Sequence, residues 1–119
     1  MRKALLTLLL LGSTAVASER TETVYEGTWL TTNRKLDGTM TCVVTRMADE
    51  EWRGHFHGVW NGARFAYKVK FNGPADKLYG TAVIDGADYQ WTGSMTERRF
   101  QGSFGGSRYA GSFDLRRKK

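Results

Sequence analysis

The stretch that decides the fold is residues 52–71, which read WRGHFHGVWNGARFAYKVKF. Its central Asn61–Gly62 pair is typical of a two-residue β-hairpin turn, and such a turn sets Trp60 opposite Ala63. Because side chains alternate along a strand, counting outward from the turn places aromatic and small residues on one face. These residues are Trp52, Gly54, Phe56, Gly58, Trp60, Ala63, Phe65, Tyr67, Val69 and Phe71. The opposite face carries ionisable side chains and is called the basic face: Arg53, His55, His57, Arg64, Lys68 and Lys70.

Similar signals recur along the rest of the chain. A second turn pair, Asp85–Gly86, sets Ala82 against Tyr89 in the same way. Short alternating runs continue to the C-terminal region, and no stretch keeps a helical period. We therefore predict an all-β, antiparallel up-and-down meander of about eight strands. The strands are expected near residues 24–31, 36–47, 51–60, 63–71, 77–85, 87–95, 99–104 and 108–116.

The predicted strands are expected to close, or nearly close, into a small barrel, because closure removes the exposed edges of a sheet. The alternative is an open single sheet, which would leave a broad aromatic face unburied unless it dimerised. An eight-stranded barrel has an interior only just wide enough for side chains. We therefore expect a filled core, with any ligand bound at a barrel mouth or on the outer surface.

A weak five-residue repeat has glycine at its third position. An apolar residue comes first and any residue second, and the glycine is followed by Thr or Ser and then by another apolar residue, as in Trp91–Met95. If the last two turns centre on residues 97–98 and 106–107, three glycines align across adjacent strands beside aromatic residues. This candidate groove comprises Trp91, Gly93, Gly102, Phe104, Tyr109 and Gly111. We favour the interpretation that bare backbone lets the sheet coil tightly under neighbouring rings. The alternative is a groove in which a flat ligand or sugar ring approaches the backbone.

The N-terminus has the layout of a secretory signal peptide over residues 1–17. Arg2 and Lys3 precede a short apolar run and then small residues, after which we expect cleavage. The predicted product, residues 18–119, is one domain with a basic tail at 116–119, secreted or periplasmic and without stable membrane insertion. Loss of Arg2 and Lys3 lowers the formal net charge from +6 to +4. This mild excess favours solubility and loose contact with polyanions.

No catalytic, metal or cofactor site is predicted. Cys42 is the single cysteine and alternates in phase with apolar neighbours, so we interpret it as a buried small hydrophobe rather than a redox group. His55 and His57 have a spacing that metal sites use, but the register surrounds them with cations and offers no third ligand. No Ser-His-Asp set, carboxylate pair or phosphate-binding loop can be assembled. The chain is therefore not expected to be an enzyme or to hold a cofactor.

The motif Gly27–Thr28–Trp29 resembles the Gly-x-Trp that opens avidin and lipocalin barrels, and the resemblance implies an up-and-down barrel. None of the biotin-contacting residues of that family is carried over. The Tyr-x-Gly-x-Trp unit that begins at Tyr25 also resembles MORN-type hairpin repeats, although Leu36 stands where a glycine of that family would be. The mature chain is similar to small secreted bacterial β-meander proteins that have no assigned activity.

These observations predict a secreted, monomeric binding or interaction protein of the cell envelope. Its partner would be a glycan or a small apolar ligand at the candidate groove. The alternative is a structural or inhibitor-type protein that docks a protein or an anionic polymer on the basic face. Nucleic acid is not expected as a partner, because the aromatic residues that would stack on bases lie on the core side of the sheet.

Overall fold

The computed structural model describes residues 22–33 and 35–118, and within them every regular element is a β-strand. The strands are β1 (Glu22–Thr31), β2 (Asp37–Ala48), β3 (Glu51–Trp60), β4 (Ala63–Asn72), β5 (Leu78–Ile84), β6 (Ala87–Met95), β7 (Arg99–Gly106) and β8 (Ala110–Arg117). Each strand pairs antiparallel with the next, and β1 also pairs with β8, so the sheet closes into a barrel. The predicted meander is confirmed, and the open-sheet alternative is wrong. The described part of the chain has no helix long and apolar enough to cross a membrane.

The two-residue turns have the geometry that their sequences predict. Asn61 and Gly62 have φ values of 51° and 79°, and Asp85 and Gly86 have values of 52° and 78°. This left-handed conformation matches the twist of the flanking strands, and Asn, Asp and Gly tolerate it best. The predicted pairing of residues across both hairpins is confirmed.

The strand order gives the barrel two different ends. One end carries the β1–β2, β3–β4, β5–β6 and β7–β8 connections and is called the open end. The other carries the β2–β3, β4–β5 and β6–β7 connections and is called the closed end. The described chain also begins and ends at the closed end, where Lys118 N–H donates to the Val24 carbonyl over 2.8 Å.

The core is concentrated towards the closed end. Its largest fully buried side chains are Cys42, Phe71, Leu78, Phe100 and Leu115. The Phe100 ring is packed from several sides, with its centroid 5.7 Å from that of Tyr25 and 5.1 Å from that of Phe113. The prediction that Cys42 is a buried small hydrophobe is confirmed, and burial raises the pKa of its thiol well above the usual range.

Two aromatic side chains at the closed end form hydrogen bonds with backbone carbonyl groups. The Tyr25 hydroxyl donates to the Thr96 carbonyl over 2.9 Å, and the Trp52 indole N–H donates to the Gly73 carbonyl over 2.9 Å. Each bond satisfies a group that would otherwise be costly to remove from water. The closed end is therefore both packed and capped by connections between strands.

One junction of the barrel is paired over only part of its length. β3 pairs with β4 from Glu51–Asn72 to Trp60–Ala63, whereas β4 pairs with β5 only at Phe71–Gly80 and Asn72–Tyr79. Both of the latter pairs lie next to the closed end. Residues 63–70 of β4 and 81–84 of β5 therefore face each other without a ladder, and this region is called the β4–β5 seam.

The pairing of β7 with β8 differs from the prediction. Gly93 aligns with Gly102 as expected, but Gly102 pairs with Phe113 rather than with Gly111. Gly111 instead pairs with Phe104. The predicted alignment of three glycines across three strands is therefore wrong, although its first two members do align.

Gly106 explains this difference. It was expected in the turn, but it is a ladder residue of β7 that pairs with Tyr89, and its N–H donates to the Tyr109 carbonyl over 2.9 Å. A Cβ at Gly106 would lie 2.7 Å from carbons of the Tyr89 ring. Glycine is needed here to make room for a ring, and the turn lies closer to Arg108 than its sequence indicates.

Candidate functional site

An apolar cavity of about 200 Å³ occupies the open end of the barrel. Its floor is formed by the rings of Phe56, Trp91 and Phe113, which meet edge to face with centroids 5.9 to 6.3 Å apart. The packed core lies beneath these three rings. The expectation of a filled interior is therefore correct for the closed end and wrong for the open end.

The cavity exists because aromatic rings lie along the barrel wall rather than across its interior. Trp29 pairs with Gly38, and Phe65 pairs with Gly58. A Cβ at Gly38 would lie 2.8 Å from Trp29 Nε1, and a Cβ at Gly58 would lie 2.7 Å from Phe65 Cζ. Each ring therefore rests on bare glycine backbone. A side chain at either glycine would push the opposite ring towards the centre.

The polar groups of the cavity lie towards its opening. Asp85 and Arg108 are exposed and border the opening, and Tyr67 and Tyr89 line the wall below them. Burial raises the pKa of Tyr67, and the negative charge of Asp85 raises it further. Burial also raises the pKa of Tyr89. Both hydroxyls are therefore uncharged hydrogen-bonding groups at neutral pH.

Trp29 carries a buried polar atom that has no partner. Its indole Nε1 is fully buried and makes no hydrogen bond with any described residue. Buried donors are normally paired, and an orphaned one costs about 1–3 kcal/mol. A Cβ at Gly38 would lie 2.8 Å from this nitrogen, so the donor faces the glycine backbone of the wall rather than the cavity.

The candidate groove is divided between the cavity and the wall. Trp91, Phe104 and Tyr109 line the cavity together. Gly102 lies beneath a ring instead, since a Cβ there would be 2.7 Å from Phe113 Cζ. A Cβ at Gly93 or Gly111 would instead meet first the backbone of a neighbouring strand, and Gly102 pairs with Phe113 rather than with Gly111, so the three glycines do not form one trench between two aromatic rows. The structure brings the predicted aromatic side chains together, but around a cavity.

The basic face lies on the outside of β3 and β4, as the hairpin register predicts. Arg53 pairs with Lys70, and His55 pairs with Lys68, so basic side chains lie next to each other on the two strands. All six residues of this face are exposed. The two ion pairs found among the described residues, Arg46–Asp49 and Arg99–Asp114, do not include any residue of this face.

Two further sequence expectations concern the same surface and the C-terminus. The rings of His55 and His57 have centroids 5.6 Å apart, and the described residues contain no group of three or more His, Cys, Asp or Glu side chains placed to hold a metal ion. β8 continues to Arg117, whose N–H donates to the Arg98 carbonyl over 2.8 Å. Half of the predicted basic tail is therefore part of the barrel, and residue 119 and the predicted signal peptide lie outside the described residues.

Sequence reasoning missed several residues around the cavity opening. Thr31, Ile84 and Arg108 were not named, Leu36 was named only for its place in a repeat motif, and Asp85 was named only as a turn residue. All of these residues lie in or beside connections at the open end of the barrel. The predicted strand directions place those connections at the same end, and this is the signal that could have identified the residues. Comparison of the chain with protein families, curated proteins and solved structures found no match.

Proposed function

We propose that this protein is an exported, non-catalytic binding protein that takes a small apolar molecule into the open end of its barrel. The observation that carries the proposal is the cavity of about 200 Å³ bounded by aromatic side chains. For comparison of size, an enclosed apolar cavity of about 150 Å³ binds benzene. The size therefore favours a ligand of one ring, or a short branched chain of similar volume.

The polar groups around the cavity restrict the ligand further. Tyr67 and Tyr89 offer neutral hydroxyl groups near the opening. A largely apolar molecule with one carbonyl, ether or hydroxyl oxygen therefore fits the chemistry of the wall better than a charged one.

The export part of the proposal is supported by the sequence of residues 1–17. A carrier of small apolar molecules is useful where such molecules enter or leave the cell, which is consistent with a secreted or periplasmic location. Intact mass measurement of the protein recovered outside the cytoplasm tests this part. Cleavage after Ala17 is expected, and an unprocessed chain that stays in the cytoplasm would contradict it.

Ligand binding can be tested with tryptophan fluorescence and thermal unfolding, because Trp29 and Trp91 both line the cavity. Toluene, indole and cyclohexanone are suitable probes of graded polarity. We expect saturable quenching and a rise in Tm with at least one of them. If none of these probes at millimolar concentration moves either signal, the proposal is wrong.

A matched pair of variants locates the binding site. Ala82 faces the cavity and Val83, the next residue of β5, faces outward with 66% of its surface exposed. Ala82→Phe should fill the cavity and abolish probe binding while the barrel still folds. Val83→Phe adds a ring to the same strand outside the barrel and should bind the probes as the unmodified protein does. Equal loss in both variants would place binding elsewhere.

The basic face favours a second role. Its basic side chains are exposed and lie next to each other on two strands, and neither described ion pair includes them. Such a surface attracts anionic partners and raises their rate of encounter. Retention on an immobilised polyanion should fall when Arg53, Arg64, Lys68 and Lys70 are all replaced by glutamine. Unchanged retention would exclude this role.

A further inference from the structure

The β4–β5 seam leaves main-chain groups of β4 and β5 without the ladder pairing found at the other strand junctions. Towards β5, residues 63–70 of β4 have no strand partner, and residues 81–84 of β5 have none towards β4. The backbone hydrogen bonds of the described connections do not reach either stretch. Unpaired N–H and C=O groups along a strand edge form a template on which another extended chain can pair. The barrel is therefore closed in topology, but its β4 edge keeps unpaired main-chain groups beside the cavity.

The side chains along the β4 edge alternate between two environments. Phe65, Tyr67 and Val69 point inward and line the cavity. Arg64 and Lys68 point outward and are exposed. Cross-strand neighbours lie on the same face of a sheet. A chain that pairs with this edge therefore places every second side chain towards the cavity and the others towards the outer surface.

We infer that the β4 edge binds an extended segment of a partner protein in which apolar and acidic side chains alternate. Main-chain hydrogen bonds to β4 supply the pairing, as in other cases of strand addition. The apolar side chains of the segment would enter the cavity opening, and its acidic side chains would lie beside Arg64 and Lys68. This inference rests on the second role of the basic face and names the chemistry of its partner.

A second copy of this chain fits the edge less well than such a partner. Pairing of two β4 edges would bring the Arg64 and Lys68 rows of both copies together, and like charges on adjacent strands destabilise pairing. Cationic residues on an edge strand commonly serve to prevent this association. The same cations favour an acidic partner, so charge selects between the two occupants.

The binding experiment uses the mature chain and a fluorescein-labelled heptapeptide that alternates valine with glutamate. A matched peptide that alternates valine with lysine is the control. Fluorescence anisotropy should show saturable binding of the acidic peptide, tighter than the basic one by about tenfold or more, since each cross-strand pair changes sign. Failure of the acidic peptide to bind would overturn the inference. The cations of the β4 edge would then serve only to prevent pairing between two copies of the chain.

Backbone pairing is tested separately with two N-methylated versions of the acidic peptide. One is methylated on odd residues and the other on even residues, so each blocks the amides of one edge of the peptide. At least one version should lose binding by about tenfold or more. If both bind like the parent peptide, strand addition is wrong, while charge-dependent binding would leave the second role of the basic face intact.

Two protein variants with the same change of charge locate the contact. Arg64→Glu with Lys68→Glu alters the seam, whereas Arg53→Glu with Arg98→Glu alters two exposed cations near the closed end that lie outside the seam. Circular dichroism first shows that both variants fold. The first variant should then bind the acidic peptide about tenfold more weakly than the unmodified protein does, and the second about threefold more weakly or less. Equal weakening in both would mean diffuse attraction and would overturn binding at the β4 edge.

Discussion

At the scale of single residues, glycine controls where the rings of this barrel lie. Gly102 of β7 shows the requirement clearly. A Cβ at this position would lie 2.6 Å from the Thr92 carbonyl oxygen and 2.7 Å from Phe113 Cζ. Both distances are shorter than real Cβ contacts, and one of the two neighbours is backbone that cannot move independently. The Phe113 ring can therefore reach the core only because residue 102 has no side chain.

We predict that Gly102→Ala lowers the free energy of unfolding by about 1–3 kcal/mol, the usual cost of overpacking. Gly105→Ala is the matched control on the same strand, because a Cβ there meets nothing within 4 Å. It should change the free energy of unfolding by less than about 0.5 kcal/mol. Urea unfolding followed by tryptophan fluorescence measures both values. Similar stability of the two variants would show that Gly102 is not required by packing.

At the scale of strands and turns, the sequence predicted the hairpins well because their turns are short and chemically distinctive. Asn61–Gly62 and Asp85–Gly86 specify a turn type, and the turn type specifies the register of both strands. The β7–β8 hairpin was predicted with the wrong register because Gly106 serves the Tyr89 ring rather than the turn. The sequence alone does not show whether a glycine is required for a tight turn or for the packing of a neighbouring ring.

The β4–β5 seam could not be predicted for a different reason. Its connection, residues 73–77, is longer than a two-residue turn, so it places no tight restriction on how far pairing extends. The alternation of apolar and polar residues continues along both strands whether or not they are paired. Sequence alternation reports which face is buried, but it does not report which strand edges are bonded.

An ion pair joins the last two strands on the outside of the barrel. Arg99 on β7 donates two hydrogen bonds to Asp114 on β8, one from Nε over 2.8 Å and one from Nη2 over 2.7 Å. The hydrogen bonds from Arg99 lower the pKa of the Asp114 carboxyl below its ordinary value of 3.8. Asp114 therefore binds a proton less readily in the folded chain than in the unfolded chain.

We predict that this pair adds stability above about pH 4 that is lost as the pH falls through the lowered pKa of folded Asp114. Because both side chains are partly exposed, the contribution is small and decreases with added salt. Urea midpoints between pH 6 and pH 2.5 measure it. Asp114→Asn should flatten the acid side of the profile, whereas Asp88→Asn on the exposed surface of β6 should leave it unchanged. Parallel profiles for Asp114→Asn and the unmodified protein would show that the pair has no such role.

At the scale of the whole molecule, the barrel is built from a packed half and a hollow half. The sequence predicted which side chains point inward, including Phe56 and Trp91 of the floor, but not that one half stays open. The prediction of a filled core counted inward side chains and assumed that they cross the interior. Trp29 and Phe65 instead lie along the wall over glycine. The volume of a core depends on ring orientation as well as on residue type, and strand alternation carries no information about orientation.

This asymmetry predicts that the same Phe→Leu substitution lowers the free energy of unfolding by different amounts at two positions of one strand. Phe100 and Phe104 both point inward from β7, but Phe100 is fully buried among five other rings and Phe104 borders the cavity. Phe100→Leu removes atoms that are surrounded by partners and leaves a new void, whereas Phe104→Leu enlarges a space that already exists. We expect Phe100→Leu to cost about 1–2 kcal/mol more than Phe104→Leu in urea unfolding. Equal costs would mean that the open end is packed as tightly as the closed end, and would also remove the basis for a ligand site there.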